Sequence, residues 1–129
     1  MSDQKAEAKV ISEVKDKIEE VIPSPPETGA KASAQALKER LQWGKPGLTI
    51  IDARDRESFL EERITGAMFI EDVTGLPKNR EIYVYGGSDD ETAKAADKIR
   101  QQGFSSVSQI QGGLAGWKAV MGPVEGRNV

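Results

Sequence analysis

The residues of this chain that could take part in chemistry lie in a loop between an apolar stretch and a helix-forming one. Ile82 to Tyr85 is typical of a buried strand, and the loop after it reads Gly86, Gly87, Ser88, Asp89, Asp90, Glu91 and Thr92. A loop that leads from a strand into a helix exposes the free N–H groups of the helix N-terminus, so it often holds a nucleophile or a phosphate. This loop instead carries three carboxylates.

The chemistry open to the chain is limited because it contains no cysteine and no histidine. A thiolate or persulfide, an imidazole base, a disulfide and the usual zinc ligands are therefore excluded. Carboxylates can act as general acids and bases or bind Mg²⁺ and Ca²⁺, but the DxDxDG pattern of a calcium loop is absent. Ser88 has no His or Lys partner within the motif. We expect the carboxylates to cap the following helix, and we expect no metal and no cofactor.

Composition sets the broad class of the protein. The chain has 129 residues, a formal net charge of -3 and 37% hydrophobic residues, which fits one compact domain with a short appendage. Acidic and basic residues are interspersed, so there is no basic field for nucleic acid. There is no apolar run of the roughly 20 residues that a membrane span needs, and the N-terminus has no apolar signal core. These features predict a cytoplasmic protein that binds no nucleic acid.

Patterning divides the chain into four parts. Residues 1–22 form a predicted amphipathic helix, residues 23–32 a proline-rich linker, residues 33–123 the folded domain and residues 124–129 a tail. The helix prediction depends on apolar residues at helical spacing, which are Val10, Ile11, Val14, Ile18, Val21 and Ile22. This stripe could pack on the domain, or it could dock on a partner or a membrane surface.

Within the domain, apolar runs and helix signals alternate. The first predicted helix has Ser33 as its N-cap and ends near Gly44, and the others are Arg56 to Glu61, Glu91 to Gln102 and Leu114 to Val120. The predicted strands are Leu48 to Ile51, Ile82 to Tyr85 and Val107 to Ile110, and Ile64 to Ile70 is predicted as a turn that leads into another short strand. This alternation predicts an α/β fold, a small and mainly parallel sheet with helices on both faces, preceded by the N-terminal helix and linker. The 86–92 loop would lie along the sheet edge where ligands bind in such folds.

With these elements placed, residues 34 to 122 resemble a single rhodanese homology domain. The resemblance depends on an Asp-x-Arg after the first long strand, an Ile-Thr-Gly-Ala turn, the strand into the loop, and a closing Gly-Gly-x-x-x-Trp. The landmark residues are Asp52, Arg54, Gly66, Ala67, Gly112, Gly113 and Trp117. We expect Arg54 to close an ion pair in the scaffold, or to contact a ligand if it reaches the pocket edge. Trp117 and Phe104 stand at core spacing.

The resemblance also implies what the loop has lost. Active members of the family carry a persulfide on a cysteine in a loop reading Cys-x-x-Gly-x-Arg-Ser or Thr. At the matching positions this chain has Gly86, Asp89, Glu91 and Thr92, of which only the threonine fits. Two like charges 4 Å apart repel by roughly 4 kcal/mol at an effective dielectric constant of 20, so the carboxylates oppose an incoming anion.

The resemblance therefore predicts a rhodanese-like domain that is not an enzyme and that acts as a protein-binding or regulatory module. Two alternatives remain at this point. The loop carboxylates could serve an enzyme that uses a divalent cation. Alternatively, the N-terminal helix could be the functional part, with the domain as its anchor. The sequence predicts neither the identity of a protein partner nor the oligomeric state.

Overall fold

A computed structural model describes residues 31–42 and 47–129 of the chain. The predicted helix at 1–22 and most of the predicted linker lie outside this range, as does Trp43. The strands are β1 Lys31–Ala32, β2 Leu48–Asp52, β3 Arg63–Ile64, β4 Met68–Phe69, β5 Glu81–Tyr85, β6 Ser106–Ile110 and β7 Val124–Glu125. The α-helices are α1 Ala34–Gln42, α2 Arg56–Glu61, α3 Asp89–Gln101 and α4 Gly113–Ala119, and a 3₁₀ helix spans Ile70–Gly75.

Five strands form one parallel sheet in the order β1-β6-β5-β2-β4, which confirms the predicted α/β class and the parallel sheet. Strands β2 and β5 are paired along their whole length, and Asp52 lies opposite Tyr85 at their carboxyl ends. Because parallel strands end at the same edge, this register brings the Asp-x-Arg landmark beside the 86–92 loop.

The sheet separates two apolar clusters, one on each face. Successive residues of β5 alternate between them, because side chains of a strand point to opposite faces. Tyr83 and Tyr85 belong to the cluster that includes Leu37 of α1 and Trp117 of α4. The other cluster joins β5 to α3 and the 3₁₀ helix through Ile82, Val84, Ala96, Ile99 and Val73, and it includes Phe104. Trp117 and Phe104 are both buried, so both are packing residues. In the described part of the chain, no helix combines the length and apolar character needed to cross a bilayer.

The fold extends beyond the predicted domain limits at both ends. Lys31–Ala32, predicted as linker, pairs in parallel with β6. Val124–Glu125, predicted as tail, pairs with β3 in a separate two-stranded antiparallel sheet, and the backbone N–H groups of Arg127 and Asn128 bond to α2 carbonyls at 3.0 Å. Two-residue strands held by backbone bonds produce no sequence period, which is why the pattern missed them.

The short strand predicted after the turn at Ile64 to Ala67 is present as Met68–Phe69. The 3₁₀ helix that follows it from Ile70 has no counterpart in the sequence prediction. Its Val73 side chain is buried against the sheet. Burying that side chain requires the chain to turn back over the sheet after Phe69.

Candidate functional site

The loop after β5 is organised by the N-terminus of α3. Ser88 is the N-cap residue: its backbone is extended and its hydroxyl accepts a hydrogen bond from the N–H of Glu91 at 3.1 Å. The helix therefore begins at Asp89, two residues earlier than the predicted Glu91. Asp89, Asp90 and Glu91 occupy its first turn, where negative charge is favourable.

The three carboxylates do not share one task. Glu91 Oε1 accepts from the N–H of Gly87 at 3.1 Å. Asp89 Oδ1 accepts from the N–H of Gly112 at 3.1 Å, a link between residues 23 apart in the sequence. Asp90 is exposed and has no hydrogen bond or ion pair to any residue in the described ranges. The side-chain cap of α3 is therefore supplied by Ser88 and not by a carboxylate. Glu91 and Asp89 instead accept hydrogen bonds from backbone N–H groups of the surrounding loops.

The start of the loop is fixed from inside by Thr92. Its side chain is buried, and Thr92 Oγ1 accepts from the N–H of Gly86 at 2.7 Å while donating to the Ser88 carbonyl at 2.9 Å. A Cβ at Gly86 would lie 3.3 Å from Glu91 Cβ and 3.3 Å from Thr92 N. The first two N–H groups of the loop, at Gly86 and Gly87, are therefore already bonded to side chains of this chain.

The turn before α4 faces the loop. Gly113 has φ +57°, and a Cβ there would lie 3.1 Å from the Gly86 carbonyl oxygen. Gly112 has φ +81°, and a Cβ there would lie 3.2 Å from Gly116 Cα. Both backbone conformation and space favour glycine at these two positions. This explains why the Gly-Gly landmark is present beside a loop whose own sequence has changed.

A cavity of about 360 Å³ opens between the loop and this turn. It lies at the carboxyl edge of the sheet, where the first residues of α3 and α4 approach each other. Its lining consists of Arg54, Gly86, Gly87, Ser88, Asp89, Gly112, Gly113, Leu114 and Ala115. Of the residues singled out in the sequence, the cavity therefore brings together Arg54, the first half of the loop and the Gly-Gly turn. It does not include Asp90, Glu91, Thr92, Asp52, Gly66, Ala67 or Trp117.

Arg54 reaches the cavity while forming the ion pair predicted for it. Arg54 Nη2 lies 2.8 Å from Asp52 Oδ2, and Nε donates to Asp52 Oδ1 at 3.1 Å. Nη2 also donates to the carbonyl of Glu62 at 2.5 Å. The hydrogen bond to Asp52 is the main cause that raises the pKa of Arg54, although burial acts against it. The cation at the cavity edge is thus already neutralised by a carboxylate behind it.

Tyr85 completes this network, and sequence reasoning missed it. Its hydroxyl donates to Asp52 Oδ2 at 2.6 Å and accepts from the N–H of Ile64 at 3.1 Å. Burial is the main cause that raises the pKa of Tyr85, followed by the hydrogen bond to Asp52. The available signal was register: a tyrosine that ends one strand beside an aspartate that ends the next.

The Ile-Thr-Gly-Ala landmark belongs to this scaffold and not to the cavity. Ile64 and Ala67 are buried in the cluster with Trp117, and the N–H of Ala67 bonds to the Ile64 carbonyl at 2.9 Å. Gly66 closes this tight turn with φ +83°. Within residues 31–42 and 47–129, no group of three or more Asp or Glu side chains is arranged to hold a metal ion.

Comparison with known proteins places this geometry in one family. Residues 33–120 match the family described as "Rhodanese-like domain". Among curated proteins, "Probable adenylyltransferase/sulfurtransferase MoeZ" of Mycobacterium tuberculosis is 30% identical over 104 residues, which cover 73% of this chain. The matched stretch spans only 26% of that relative's length.

Solved structures agree on the fold. A crystal structure of the Alr3790 protein from Anabaena sp. is 48% identical, with a TM-score of 0.70, and the match covers 76% of this chain and 94% of that one. A solution structure of the rhodanese-like domain of the same protein is 43% identical, with a TM-score of 0.72 and 82% of both chains covered. Thiosulfate sulfurtransferase from Pseudomonas aeruginosa shares the fold at 19% identity and a TM-score of 0.64, over 82% of this chain and 21% of that one. Because the family match covers residues 33–120, more than half of the sequence, this chain belongs to the rhodanese-like domain family.

Proposed function

We propose that this rhodanese-like domain does not transfer sulfur and instead acts as a protein-binding or regulatory module. The observation that carries the proposal is the state of the loop's first positions. Gly86 stands where sulfur-transferring relatives need a cysteine, and no other residue supplies a thiolate because the chain contains no cysteine. The N–H groups of Gly86 and Gly87, which could stabilise a bound anion, are bonded to Thr92 and Glu91.

The electrostatics of the cavity support the same proposal. Asp89 lies in its lining, and Arg54, the cation that also lines it, is paired with Asp52. A carboxylate about 4 Å from an anionic donor would oppose it by roughly 4 kcal/mol at an effective dielectric constant of 20. Thiosulfate, persulfide and phosphate are therefore poor ligands for this cavity, whereas a neutral or cationic group of a partner protein meets no such repulsion.

The cavity is also open to solvent and firmly supported. Gly87, Ser88, Asp89, Gly112 and Ala115 in its lining are exposed, so the cavity opens to solvent. The scaffold beneath it is rigid, because Asp52, Tyr85 and Thr92 are buried and hydrogen-bonded. A firm pocket that opens at the surface suits a protein partner that inserts a side chain, as in peptide recognition through pockets for single side chains.

The absence of sulfur transfer is tested by incubating the protein with thiosulfate and cyanide and measuring thiocyanate. We expect no thiocyanate above the blank without protein, while an active rhodanese domain run in parallel gives turnover. Sustained turnover by this cysteine-free chain would contradict the proposal, since it would require a nucleophile that the loop does not contain.

The binding role is tested with charge variants of the cavity. In a pull-down from cell lysate, the protein that binds the natural chain should be lost with Asp89→Arg, because this change reverses the charge in the cavity lining. Glu39→Arg is the matched control, since Glu39 is an exposed acid on α1, whose Leu37 packs on the other face of the sheet from α3. Equal capture by the two variants, with both folded by circular dichroism, would show that the cavity is not the binding surface.

A further inference from the structure

A second concave surface lies on α3, separate from the cavity. It is lined by Ala53, Ile70, Glu91, Lys94, Ala95 and Lys98 and has a volume of about 310 Å³. We call it the α3 groove. Positions 91, 94, 95 and 98 lie on one face of the helix because they are three or four residues apart. The groove therefore runs along α3 beside the 86–92 loop.

The α3 groove combines an apolar floor with two exposed lysines. Ala53, Ile70 and Ala95 supply apolar surface, and the first two are only partly buried. Lys94 and Lys98 are exposed, and neither forms an ion pair or hydrogen bond with any residue that the structure describes. The one acid in the lining, Glu91, accepts a hydrogen bond from Gly87. Such a surface fits apolar side chains that are flanked by carboxylates.

The chain's own N-terminal sequence has this chemistry. Residues 10–22 carry apolar side chains at helical spacing. The charged residues between them are four acids, Glu13, Asp16, Glu19 and Glu20, and two lysines, Lys15 and Lys17, so the segment has a net charge of -2. We infer that residues 10–22 bind in the α3 groove, with their apolar stripe on Ala53, Ile70 and Ala95 and their carboxylates toward Lys94 and Lys98. This inference is independent of the proposed protein-binding role and decides between the two interpretations of the N-terminal stripe.

The path of the chain permits this contact. Lys31, the first described residue, lines a small recess together with Asp89, Asp90 and Ala93, so the chain enters the fold beside the first turns of α3. Eight residues separate Ile22 from Lys31, and an extended chain of that length spans about 25–30 Å. An α-helix with its side chains is about 10–12 Å wide, so this connection is long enough to pass over α3.

Docking at the α3 groove would place the N-terminal segment next to the loop and the cavity. Glu91 belongs to both regions, because its side chain lines the groove and its Oε1 holds Gly87 of the loop.

Disulfide trapping tests this inference directly, because the natural chain has no cysteine. In the full chain, Val14→Cys combined with Lys98→Cys introduces the only two thiols. Under oxidised glutathione we expect a disulfide within one molecule, seen as a faster monomer band on a non-reducing gel, at a rate independent of protein concentration. The matched control pairs Val14→Cys with Gln35→Cys, an exposed site on α1 that is closer along the chain. We expect the control to cross-link at least tenfold more slowly.

Each other result overturns the inference. Equal rates for the two pairs would show that the segment has no preference for the groove. Cross-linked dimers that grow with concentration would assign the groove to a second copy of the chain. The charge argument has its own test: Lys94→Glu in the Val14→Cys, Lys98→Cys background should slow cross-linking severalfold, whereas Lys94→Arg should not. An unchanged rate with Lys94→Glu would also contradict the inference.

Discussion

The carboxyl ends of β2 and β5 lie side by side, yet they hold their charged residues in opposite ways. At the end of β2, Asp52 is 0% exposed and is bonded to Arg54 and Tyr85. At the end of β5, Asp89, Asp90 and Glu91 are exposed, and two of them accept only backbone N–H groups. The family landmark is kept at the first end and lost at the second.

Charged side chains therefore have two different roles in this domain, one in stability and one in recognition. A buried carboxylate must be paired, so Asp52 cannot change without loss of stability. An exposed carboxylate is solvated, so residues 89–91 can change at small cost and decide what the surface attracts. Changes at the two strand ends should therefore have different effects, the first on stability and the second on recognition.

The largest expected effect is at β2. Asp52→Ala leaves the Arg54 guanidinium and the Tyr85 hydroxyl without their partner, and breaking a buried pair in this way costs about 3–5 kcal/mol in the free energy of unfolding. Asp89→Ala is the matched change at β5, and we expect a loss of about 0.5–1.5 kcal/mol for its single hydrogen bond to Gly112. Urea unfolding followed by circular dichroism measures both. Similar losses would show that the two strand ends do not differ in the way described.

A smaller effect is expected where the β5 loop meets the core. Thr92→Val keeps the shape of the side chain but leaves the buried N–H of Gly86 without an acceptor, which costs about 1–3 kcal/mol. Ser88→Ala removes the exposed N-cap and should cost about 1 kcal/mol. Urea unfolding should therefore rank Thr92→Val as the more damaging of the two. The reverse order would mean that the loop is held mainly by its helix cap.

The pH dependence of stability tests how firmly the buried hydroxyl groups of Tyr83 and Tyr85 are held, and these are the only two tyrosines of the chain. Burial raises the pKa of both Tyr83 and Tyr85, and hydrogen bonds to Glu81 and Asp52 raise it further. In the unfolded chain tyrosine has a pKa of about 10, so above that pH the unfolded state loses protons that the folded state keeps. Stability is then lost by up to about 1.4 kcal/mol per tyrosine for each pH unit.

The check is urea unfolding at a series of pH values from neutral to strongly alkaline. Lysine titration also contributes there, so the wild type is compared with Tyr85→Phe, which should lose stability less steeply as the pH rises. Identical slopes would mean that Tyr85 titrates normally and that the Asp52 network does not hold its proton.

Sequence reasoning predicted the parts of this molecule that are local or periodic. The long strands, the helices and the Arg54 ion pair follow from apolar runs and from a motif whose residues are two apart. The links that shape the site join distant residues, as Asp89 joins Gly112 and Tyr85 joins Asp52 and Ile64. Strand register could have indicated the contact between Tyr85 and Asp52. The contact between Asp89 and Gly112 joins two loops and leaves no pattern in a single sequence. The short strands β1 and β7 were missed for a similar reason, since they depend on backbone hydrogen bonds.

The last prediction concerns activity, where only a small gain is expected. Gly86→Cys places a thiol at the start of the loop, and its Cβ fits with a shift of a few tenths of an ångström, because the nearest atoms would lie at 3.3 Å. The carboxylate of Glu91 is close by, so it disfavours the thiolate and repels thiosulfate. Gly86→Cys alone should therefore form little thiocyanate, and Gly86→Cys with Glu91→Arg should form more.

A third variant separates removal of the acid from gain of the cation. Gly86→Cys with Glu91→Gln removes the negative charge without adding a positive one, so its rate should lie between the other two. If all three variants were equally active, the exposed carboxylate would have no influence on the anion, and the contrast between the two strand ends would be one of stability alone. If the rates rise in the predicted order, Glu91 opposes sulfur transfer independently of the missing cysteine. The β5 loop then carries two separate changes, at Gly86 and at Glu91, each of which prevents the reaction.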